Sequence, residues 1–402
     1  MKLAEDILMQ MKGIRKSQKE FLLILFKTML SMSGRVNFSN LSRYSDYSEK
    51  TYSRNFRRSF EFSKFNALAV QRLYDPSGEY ILAGDASFIP KSGKHTYGLG
   101  KFWNGVQSRN MKGLELSNWA IVDVFGKTAY TLKVDQVPPS DDAENAIDFF
   151  LSQLTGLKET QFPFPLPKDL GVDGFYAKHR FVDGATDLGF TVISKLRKDA
   201  NLRYLYQAPQ NHKPNPGRPR KYDGKINWKS PDFSKLTFDK HISDQLRLYS
   251  AVVYSISLKR NIKLVYLLHT GKSGKRSYAL LFSTDTTMDA ETIYRYYAAR
   301  FQIEFIFRDA KQFTGLTHSQ ARCKESLNFH FNSSLALLNL VRIEHRLTNQ
   351  NTQQGLSMAS YKRRCANEMI LKLVFSKLGI DPNLPKIQKM YQELKNYGAI
   401  AA

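Results

Sequence analysis

The first 70 or so residues lack strand-like runs, and their apolar positions recur with a helical period. Helical stretches are predicted over residues 22–32 and 49–60, and a polar break at residues 45–48 separates the second stretch from segment 36–44. Two short helices on either side of a polar break are typical of a helix-turn-helix arrangement. The pattern therefore predicts an all-helical N-terminal domain over residues 1–72.

Beyond residue 79 the hydrophobic pattern takes on the period of strands that alternate with helices. Three apolar runs predict antiparallel strands, at residues 80–89, 114–124 and 128–134. The elements predicted after them are a helix from Ser140 to about Leu157, a strand at 170–173, a helix at 176–187 and a strand at 190–196. This order predicts the α/β class, with a mixed sheet flanked by helices over residues 73–197.

Residues 198–286 interrupt this alternation of strands and helices. They include a stretch rich in proline, glycine and basic residues at 212–222. Their apolar runs predict strands rather than helices, at residues 246–258, 262–269 and 277–283. We therefore predict a β-rich insertion over residues 198–286. Helices resume at Asp289, which predicts a last part of the α/β domain over 287–347 and a helical C-terminal region over 348–402.

The net charge of the chain indicates the kind of partner that the protein binds. Lys and Arg total 60 against 36 Asp and Glu, which gives a formal charge of +24 spread along the whole chain. Such an excess repels itself unless a polyanion neutralises it. Nucleic acid is the commonest partner of this kind, and a ribosomal or anionic-membrane partner is the alternative.

The two cysteines and the N-terminus indicate the compartment. Cys323 and Cys365 are far apart and have no metal-ligand spacing around them, so neither a disulfide framework nor a zinc finger is expected. Acidic Glu5 and Asp6 come early, and no signal peptide or membrane-spanning run is recognisable. We expect a cytoplasmic protein.

The second predicted N-terminal helix has one basic and one aromatic side. Four cations fall on one side of its wheel, and three aromatic residues fall roughly opposite. The basic residues are Lys50, Arg54, Arg57 and Arg58, and the aromatic ones are Tyr52, Phe56 and Phe60. This arrangement suits a helix docked on DNA, and an ordinary solvated charged face is the alternative.

The segment from Tyr297 to Lys311 carries the most specific chemistry in the chain. On one continuous helix Tyr297, Arg300, Glu304 and Lys311 fall within about 60° of one another, with Arg308 beside them. One glutamate is therefore expected among cations and a phenol, while the opposite side is apolar. An exposed face held by salt bridges would show the same spacing.

The spacing Y-x2-R-x3-E-x6-K in this segment resembles the signature of bacterial insertion-sequence transposases of the DDE type. The resemblance implies that Glu304 is the third catalytic carboxylate of that family. It also implies that Asp85, in Ala83-Gly-Asp85-Ala-Ser-Phe, is the first carboxylate, and that Asp173, after the fourth strand, is the second. An RNase H-like fold with a β insertion before the glutamate helix is implied as well.

The physical chemistry of Asp85 points the same way. An unpaired carboxylate inside an apolar strand costs several kcal/mol, so a compensating cation is expected. Three carboxylates at a sheet edge are able to hold two Mg²⁺ ions about 3.5–4 Å apart. Backbone donors alone are the alternative for Asp85. The alternatives to Asp173 are Asp169, Asp183 and Asp187.

The cations near the carboxylates are expected to grip phosphates beside the scissile bond. The side chains expected to bind DNA there are those of Tyr297, Arg300, Arg308 and Lys311. Gly217-Arg-Pro-Arg220 resembles a minor-groove hook that would lay Arg218 and Arg220 along A·T-rich DNA, and a basic turn is an equal alternative.

The resemblance implies a transposase that binds the terminal inverted repeats of its element, forms a homodimer on double-stranded DNA, and cleaves and joins strands with Mg²⁺, for which Mn²⁺ substitutes. Two other functions remain open. One is a DNA-binding protein without catalytic activity, and the other is a nuclease of the same fold that cuts without joining.

Overall fold

A computed structural model describes residues 1–139, 143–207, 218–228, 230–349 and 355–400, with the side chains of residues 143–145 left aside. Its architecture is mixed α/β, with a large sheet flanked by helices, as the hydrophobic pattern predicts. Residues 140–142, where the first helix of the α/β domain is predicted to start, and Gly217 of the predicted hook lie outside the described residues.

The N-terminal 72 residues form helices and no described strand. The helices are α1 (Lys2–Gln10), α2 (Lys16–Ser31), α3 (Phe38–Arg43), α4 (Glu49–Asn55) and α5 (Phe62–Gln71). Helix α3 begins where the side chain of Asn37 accepts a hydrogen bond from the Asn40 amide, and α4 begins where Ser48 accepts one from the Thr51 amide. The Ser48 cap lies at the end of the polar break that the sequence predicts between the two helices.

The helix predicted over residues 49–60 is shorter than expected, because α4 ends at Asn55. The side-chain amide of Asn55 donates to the carbonyl of Thr51, and the Arg58 amide bonds to Asn55 three residues back, which closes a tight turn. Phe56 is buried in this turn against Phe329, so aromatic packing holds the chain where the helix stops.

The strands of the described residues join into one continuous sheet. They are β1 (Tyr80–Pro90), β2 (Gly100–Asn104), β3 (Arg109–Asp123), β4 (Thr128–Gln136), β5 (Asp169–Val172), β6 (Thr191–Leu196), β7 (Leu202–Leu205), β8 (Tyr222–Lys225), β9 (Thr237–Ser243), β10 (Leu246–Ser255), β11 (Arg260–Thr270) and β12 (Arg276–Ser283). Along the sheet the order is β2-β3-β1-β5-β6-β12-β11-β10-β7-β8, with β4 on β3 and β9 on β10.

One strand of the sheet differs from the sequence expectation. Strand β2 is absent from the predicted elements, so Asp173 follows the fifth strand rather than the fourth. Of its five residues only Phe102 is buried, so this short strand shows no alternation that a hydrophobic pattern could record. The strands of residues 198–286 continue the same sheet, because β12 pairs antiparallel with β6.

The remaining helices cover the sheet and form the C-terminal region. They are α6 (Ala143–Glu159), α7 (His179–Asp187), α8 (Ala290–Arg300), α9 (Gln302–Phe313), α10 (Lys324–Thr348), α11 (Met358–Leu378) and α12 (Pro385–Lys395). Helix α10 is buried along most of its length and contacts α5, α9 and β4. Its Asn339 side chain bonds to the amide and the carbonyl of Thr131, which fixes α10 on β4.

The signature segment is not the single helix that the wheel assumes. Helix α8 ends at Arg300 and α9 begins at Gln302. Around Phe301 two amides bond to carbonyls three residues back, those of Ala298 and Phe301 itself, and this tighter winding breaks the helix. The expectation of one continuous helical face through Tyr297 and Lys311 is therefore wrong.

Helices α11 and α12 leave several large apolar side chains exposed, among them Leu373 and Leu378, and Tyr397 just beyond α12 is exposed as well. No helix in the described part of the chain is both long and apolar enough to cross a membrane. Cys323 and Cys365 are free thiols.

Candidate active site

A cleft opens where strand β1 separates from β5. The two strands pair in parallel only from Leu82 to Gly84 of β1, whereas β3 follows β1 along its whole length. Asp85 is the first residue of β1 beyond the parallel pairing, and Asp173 is the first residue after β5 ends. Both aspartates therefore lie where the strands diverge, and both line a cleft of about 840 Å³.

Asp173 is held by the turn that follows β5. Its carboxylate accepts a hydrogen bond of 2.9 Å from the Phe175 amide, and its carbonyl accepts one of 2.7 Å from the Ser194 hydroxyl. The alternatives lie elsewhere. Asp169 is at the opposite end of β5, and Asp183 on α7 forms an ion pair with Arg260.

Glu304 reaches the same cleft from the first turn of α9, with 42% of its side chain exposed. Arg300, the last residue of α8, connects it to Asp85. The Nη2 atom of Arg300 lies 3.2 Å from Oε1 of Glu304, and Nη1 lies 3.6 Å from Oδ2 of Asp85. The break after Arg300 thus places one guanidinium between the first and third candidate carboxylates.

Small residues allow α8 to approach the sheet here. A Cβ atom on Gly171 would lie 3.2 Å from Ile81 and 3.4 Å from the Arg300 side chain. On β1, a Cβ atom on Gly84 would lie 2.2 Å from the ring of Trp119. A larger residue at Gly84 would displace the Trp119 ring, and one at Gly171 would require small shifts of Ile81 and Arg300.

Burial dominates the electrostatics of the cleft. Burial raises the pKa of Asp85 to about 7, Arg300 opposes the rise, and the charges of Asp173 and Glu304 add to it. Burial also lowers the pKa of Lys311, whose amine donates to the hydroxyl of Ser87 and the carbonyl of Phe88 on β1. The raised pKa of Asp85 indicates that its ionised form is only partly compensated, so a further cation beside this carboxylate would be favourable.

The remaining residues of the signature segment surround this core. The Tyr297 ring lies 5.5 Å from the guanidinium carbon of Arg300, and burial raises the pKa of the phenol. Arg308 lines the cleft with 62% of its side chain exposed. Arg300 is 9% exposed, and its Nε and Nη1 have no hydrogen-bond partner among the described residues. Such buried donors suit an anion in the cleft.

The donor set of the cleft fits a hard divalent cation, because Asp85, Asp173 and Glu304 offer only carboxylate oxygens. The raised pKa of Asp85 fits as well, since a bound cation would favour its ionised form. Within the described ranges, no three acidic, histidine or cysteine side chains are close enough to form a ready-made metal site. The contact between Asp85 and Glu304 runs through the guanidinium of Arg300, which pairs with both carboxylates.

The sequence reasoning did not single out Glu115 or Asn118, which the fold places beside the carboxylates. Glu115 lines the cleft, and burial together with the charge of Asp85 raises its pKa to about 7. Asn118 pairs with Asp85 across the strands and is fully buried. An acid between Leu114 and Leu116 in an apolar strand was the available signal for Glu115.

The other predicted DNA-binding residues lie away from the cleft. They form two groups. The first lines a groove of about 500 Å³ on the N-terminal helices and consists of Lys50, Arg54, Arg57 and Arg58. The second consists of Arg218 and Arg220, which precede β8. Arg220 bonds to Asp223 at 2.6 Å, whereas Arg218 is exposed. Neither group lines the carboxylate cleft.

Carboxylates beside buried cations, at the point where parallel strands part, define a candidate nuclease-type site on a mixed α/β fold. A family model described as DDE superfamily endonuclease matches residues 9–247. Because that match spans more than half of the chain, the protein belongs to this family. No curated protein matches the chain.

Membership in the family places the protein among metal-dependent nucleases and polynucleotidyl transferases, whose substrate is DNA. The matched residues include Asp85 and Asp173 but end before Glu304. The role of Glu304 and the more specific Y-x2-R-x3-E-x6-K signature therefore stay predictions, which depend on the position of Glu304 in the cleft.

Proposed function

We propose that the protein is an insertion-sequence transposase that binds the terminal inverted repeats of its element and cuts and rejoins DNA in this cleft. The observation that carries the proposal is that Asp85, Asp173 and Glu304, which are distant in the sequence, line one cleft beside Arg300 and Lys311. The family match supports the nuclease part of the proposal.

Asp85, Asp173 and Glu304 are the residues that would hold Mg²⁺, or Mn²⁺ in its place. When bound, the metal supplies Lewis-acid stabilisation of the reacting phosphate and activates the attacking hydroxyl. The protein's own residues position the DNA. The Nε and Nη1 atoms of Arg300 make no hydrogen bond to the described residues, and a phosphate that accepted from them would be oriented beside the three carboxylates.

Lys311 and Arg308 have different parts in this proposal. Lys311 is anchored to Ser87 and Phe88 on β1, so its charge is fixed beside the strand that carries Asp85. Arg308 is largely exposed at the cleft, where it would contact the backbone of the incoming DNA. Tyr297 packs on Arg300 and would keep its guanidinium in place.

Recognition of the terminal repeats is assigned to the N-terminal helices. Helix α4 and the turn after it present Lys50, Arg54, Arg57 and Arg58 on one surface, while Tyr52 and Phe56 are buried behind them. This arrangement supports a helix-turn-helix-like DNA contact. Arg218 would add a minor-groove contact, whereas Arg220 is paired with Asp223 and would first have to leave it.

A homodimer on DNA is the proposed assembly. The exposed apolar side chains of α11 and α12 support it, because a surface of this kind is unusual on a monomer. A transposase also has two element ends to bring together, which a symmetric pair of subunits would do.

The experiment compares the wild-type protein with Asp85→Asn on DNA that carries the element's own ends. We expect Mg²⁺-dependent cleavage and joining by the wild type, and a loss of about a thousandfold in the variant, since metal stabilisation is worth several kcal/mol. Binding to DNA should persist in the variant. Equal cleavage by both proteins would reject the assignment, and cleavage without joining would identify a nuclease instead.

A further inference from the structure

A second concave surface lies beside the carboxylate cleft. It is a groove of about 740 Å³ between the end of β1 and the segment that follows α9, with Arg35 from the N-terminal helices at its edge. We call it the basic groove and define it by Arg35, Lys91, His318 and Arg322. None of these residues has a part in the proposed chemistry.

Three distant parts of the chain build the basic groove. The amide of Val36 donates to Nδ1 of His318 at 3.1 Å, which ties the N-terminal helices to the segment after α9. Gly315 adopts φ +74°, and a Cβ atom there would lie 2.5 Å from Val36, so glycine permits this close approach. The groove is therefore a fixed feature of the fold.

Main-chain hydrogen bonds also fix Lys91 and the backbone of Arg322. The amine of Lys91 donates to the carbonyl of Ser319, and the carbonyl of Arg322 accepts a bond of 2.8 Å from the Tyr97 amide. Lys91 directly follows Pro90, the last residue of β1. The position of Lys91 thus depends on β1, the strand that also carries Asp85 in the cleft.

The charges of the basic groove are not balanced within the protein. No acidic residue lines it, and no ion pair joins Arg35, Lys91 or Arg322 to a carboxylate in the described part of the chain. Burial and the charge of Arg322 lower the pKa of Lys91. Burial, with the charges of Arg35 and Lys362, lowers the pKa of His318. Cations that repel one another in a concave surface favour a bound anion.

The basic groove continues the cleft. Pro90 lines both, and β1 leads from Asp85 in the cleft to Lys91 in the groove. Six residues of extended strand span roughly 20 Å. Because one DNA strand carries a phosphate about every 3.4 Å along the helix axis, this distance corresponds to roughly six base pairs.

We propose that the basic groove binds backbone phosphates of the DNA duplex roughly six base pairs from the phosphate held in the carboxylate cleft. The inference rests on the proposed function for the nature of the substrate and for the position of cleavage. Contacts of this kind fix the register of the duplex and carry no sequence information.

The test uses the full-length protein with Arg35→Gln and Arg322→Gln combined. Both side chains are exposed, and no described hydrogen bond involves either of their guanidinium groups, so the fold should be retained. The salt dependence of binding is measured on a duplex of about 40 base pairs of arbitrary sequence, because non-specific binding reports phosphate contacts. The logarithm of the binding constant falls linearly with the logarithm of the salt concentration. The magnitude of that slope should decrease by about 1.8, since each phosphate that is no longer neutralised lowers it by about 0.9.

The matched control removes two positive charges that carboxylates already neutralise. It combines Arg197→Gln, whose partner Asp199 lies at 3.0 Å, with Lys372→Gln, whose partner Glu368 lies at 2.7 Å. Its slope should equal that of the wild type. In cleavage assays the groove variant should raise KM and leave kcat unchanged, since the contact is the same in the ground and transition states.

Each outcome bears on one claim. An unchanged slope in the groove variant, or an equal fall in the control, overturns the basic groove as a DNA site, and the nuclease assignment stands if the wild type cuts DNA. If the groove variant has the lower slope but the wild-type protein never cuts DNA, the basic groove is supported and the proposed function is rejected. If the double variant does not fold, Arg322→Gln alone should lower the slope by about 0.9.

Discussion

Asp85 shows how one residue in a strand was recognisable as functional before its surroundings were known. A carboxylate within the apolar run of β1 called for a partner, and the fold supplies Arg300 at 3.6 Å together with two further carboxylates in the cleft. The local sequence could not identify Glu115 as a site residue, because Glu115 enters the cleft only through the pairing of β3 with β1.

The raised pKa values of Asp85 and Glu115 predict a pH dependence of stability. Both groups have folded-state pKa values of about 7, well above their values in an unfolded chain. Between about pH 4 and pH 7 the folded protein holds protons that the unfolded chain has released, so stability falls as the pH rises through this window.

Glu115→Gln tests this prediction in metal-free protein. The substitution keeps a neutral side chain at every pH, so the fall in Tm between about pH 5 and pH 8 should be smaller by a few degrees than in the wild type. The control is Glu61→Gln, which changes an exposed glutamate without a side-chain hydrogen bond at its helix start. A wild-type pH profile in the Glu115 variant would contradict the account.

At the scale of elements, the carboxylate of Glu304 depends on how α9 is fixed. Asp309 on α9 bonds to Arg342 on α10 at 2.8 Å, with 12% and 9% of the two side chains exposed. Arg342 also donates to the carbonyls of Ala129 on β4 and Phe305 on α9. This buried network joins α9, which carries Glu304 and Lys311, to both the central helix and the sheet.

Arg342→Met should lower the free energy of unfolding by about 3–5 kcal/mol, because it leaves a buried carboxylate without its main partner. Arg308→Met offers a matched control, since Arg308 pairs with the same Asp309 at 2.8 Å but is 62% exposed. The control should cost only about 0–1 kcal/mol. Denaturant unfolding measures both, and equal losses would show that burial does not determine the strength of the network.

Helix and strand positions follow the hydrophobic pattern closely where side chains alternate between core and solvent. The pattern fails at α4, where the Asn55 side chain ends the helix early, and at Phe301, where two hydrogen bonds to carbonyls three residues back break the helix. Both failures arise from local hydrogen bonding that a periodicity does not record. Strand β2 escapes the pattern because it is short and only one of its five residues is buried.

At the scale of the whole molecule, the fold brings together what the sequence separates by more than two hundred residues. Asp85 and Asp173 meet because β1 and β5 are parallel neighbours, and Glu304 joins them through the turn between α8 and α9. The resemblance to transposases pointed to these three residues, whereas no local pattern could place β12 against β6 or bring Arg35 beside Arg322. Those contacts depend on the complete chain topology.

The most direct test of the central claim is calorimetric titration of Mn²⁺ into the wild-type protein and into three single variants, Asp85→Asn, Asp173→Asn and Glu304→Gln. The control is Asp199→Asn, an exposed aspartate that pairs with Arg197. The account predicts that the wild type and the control bind the ion, and that each of the three variants binds it at least about tenfold more weakly. Wild-type protein that binds no ion, or variants that bind it as tightly as the control does, would contradict the account.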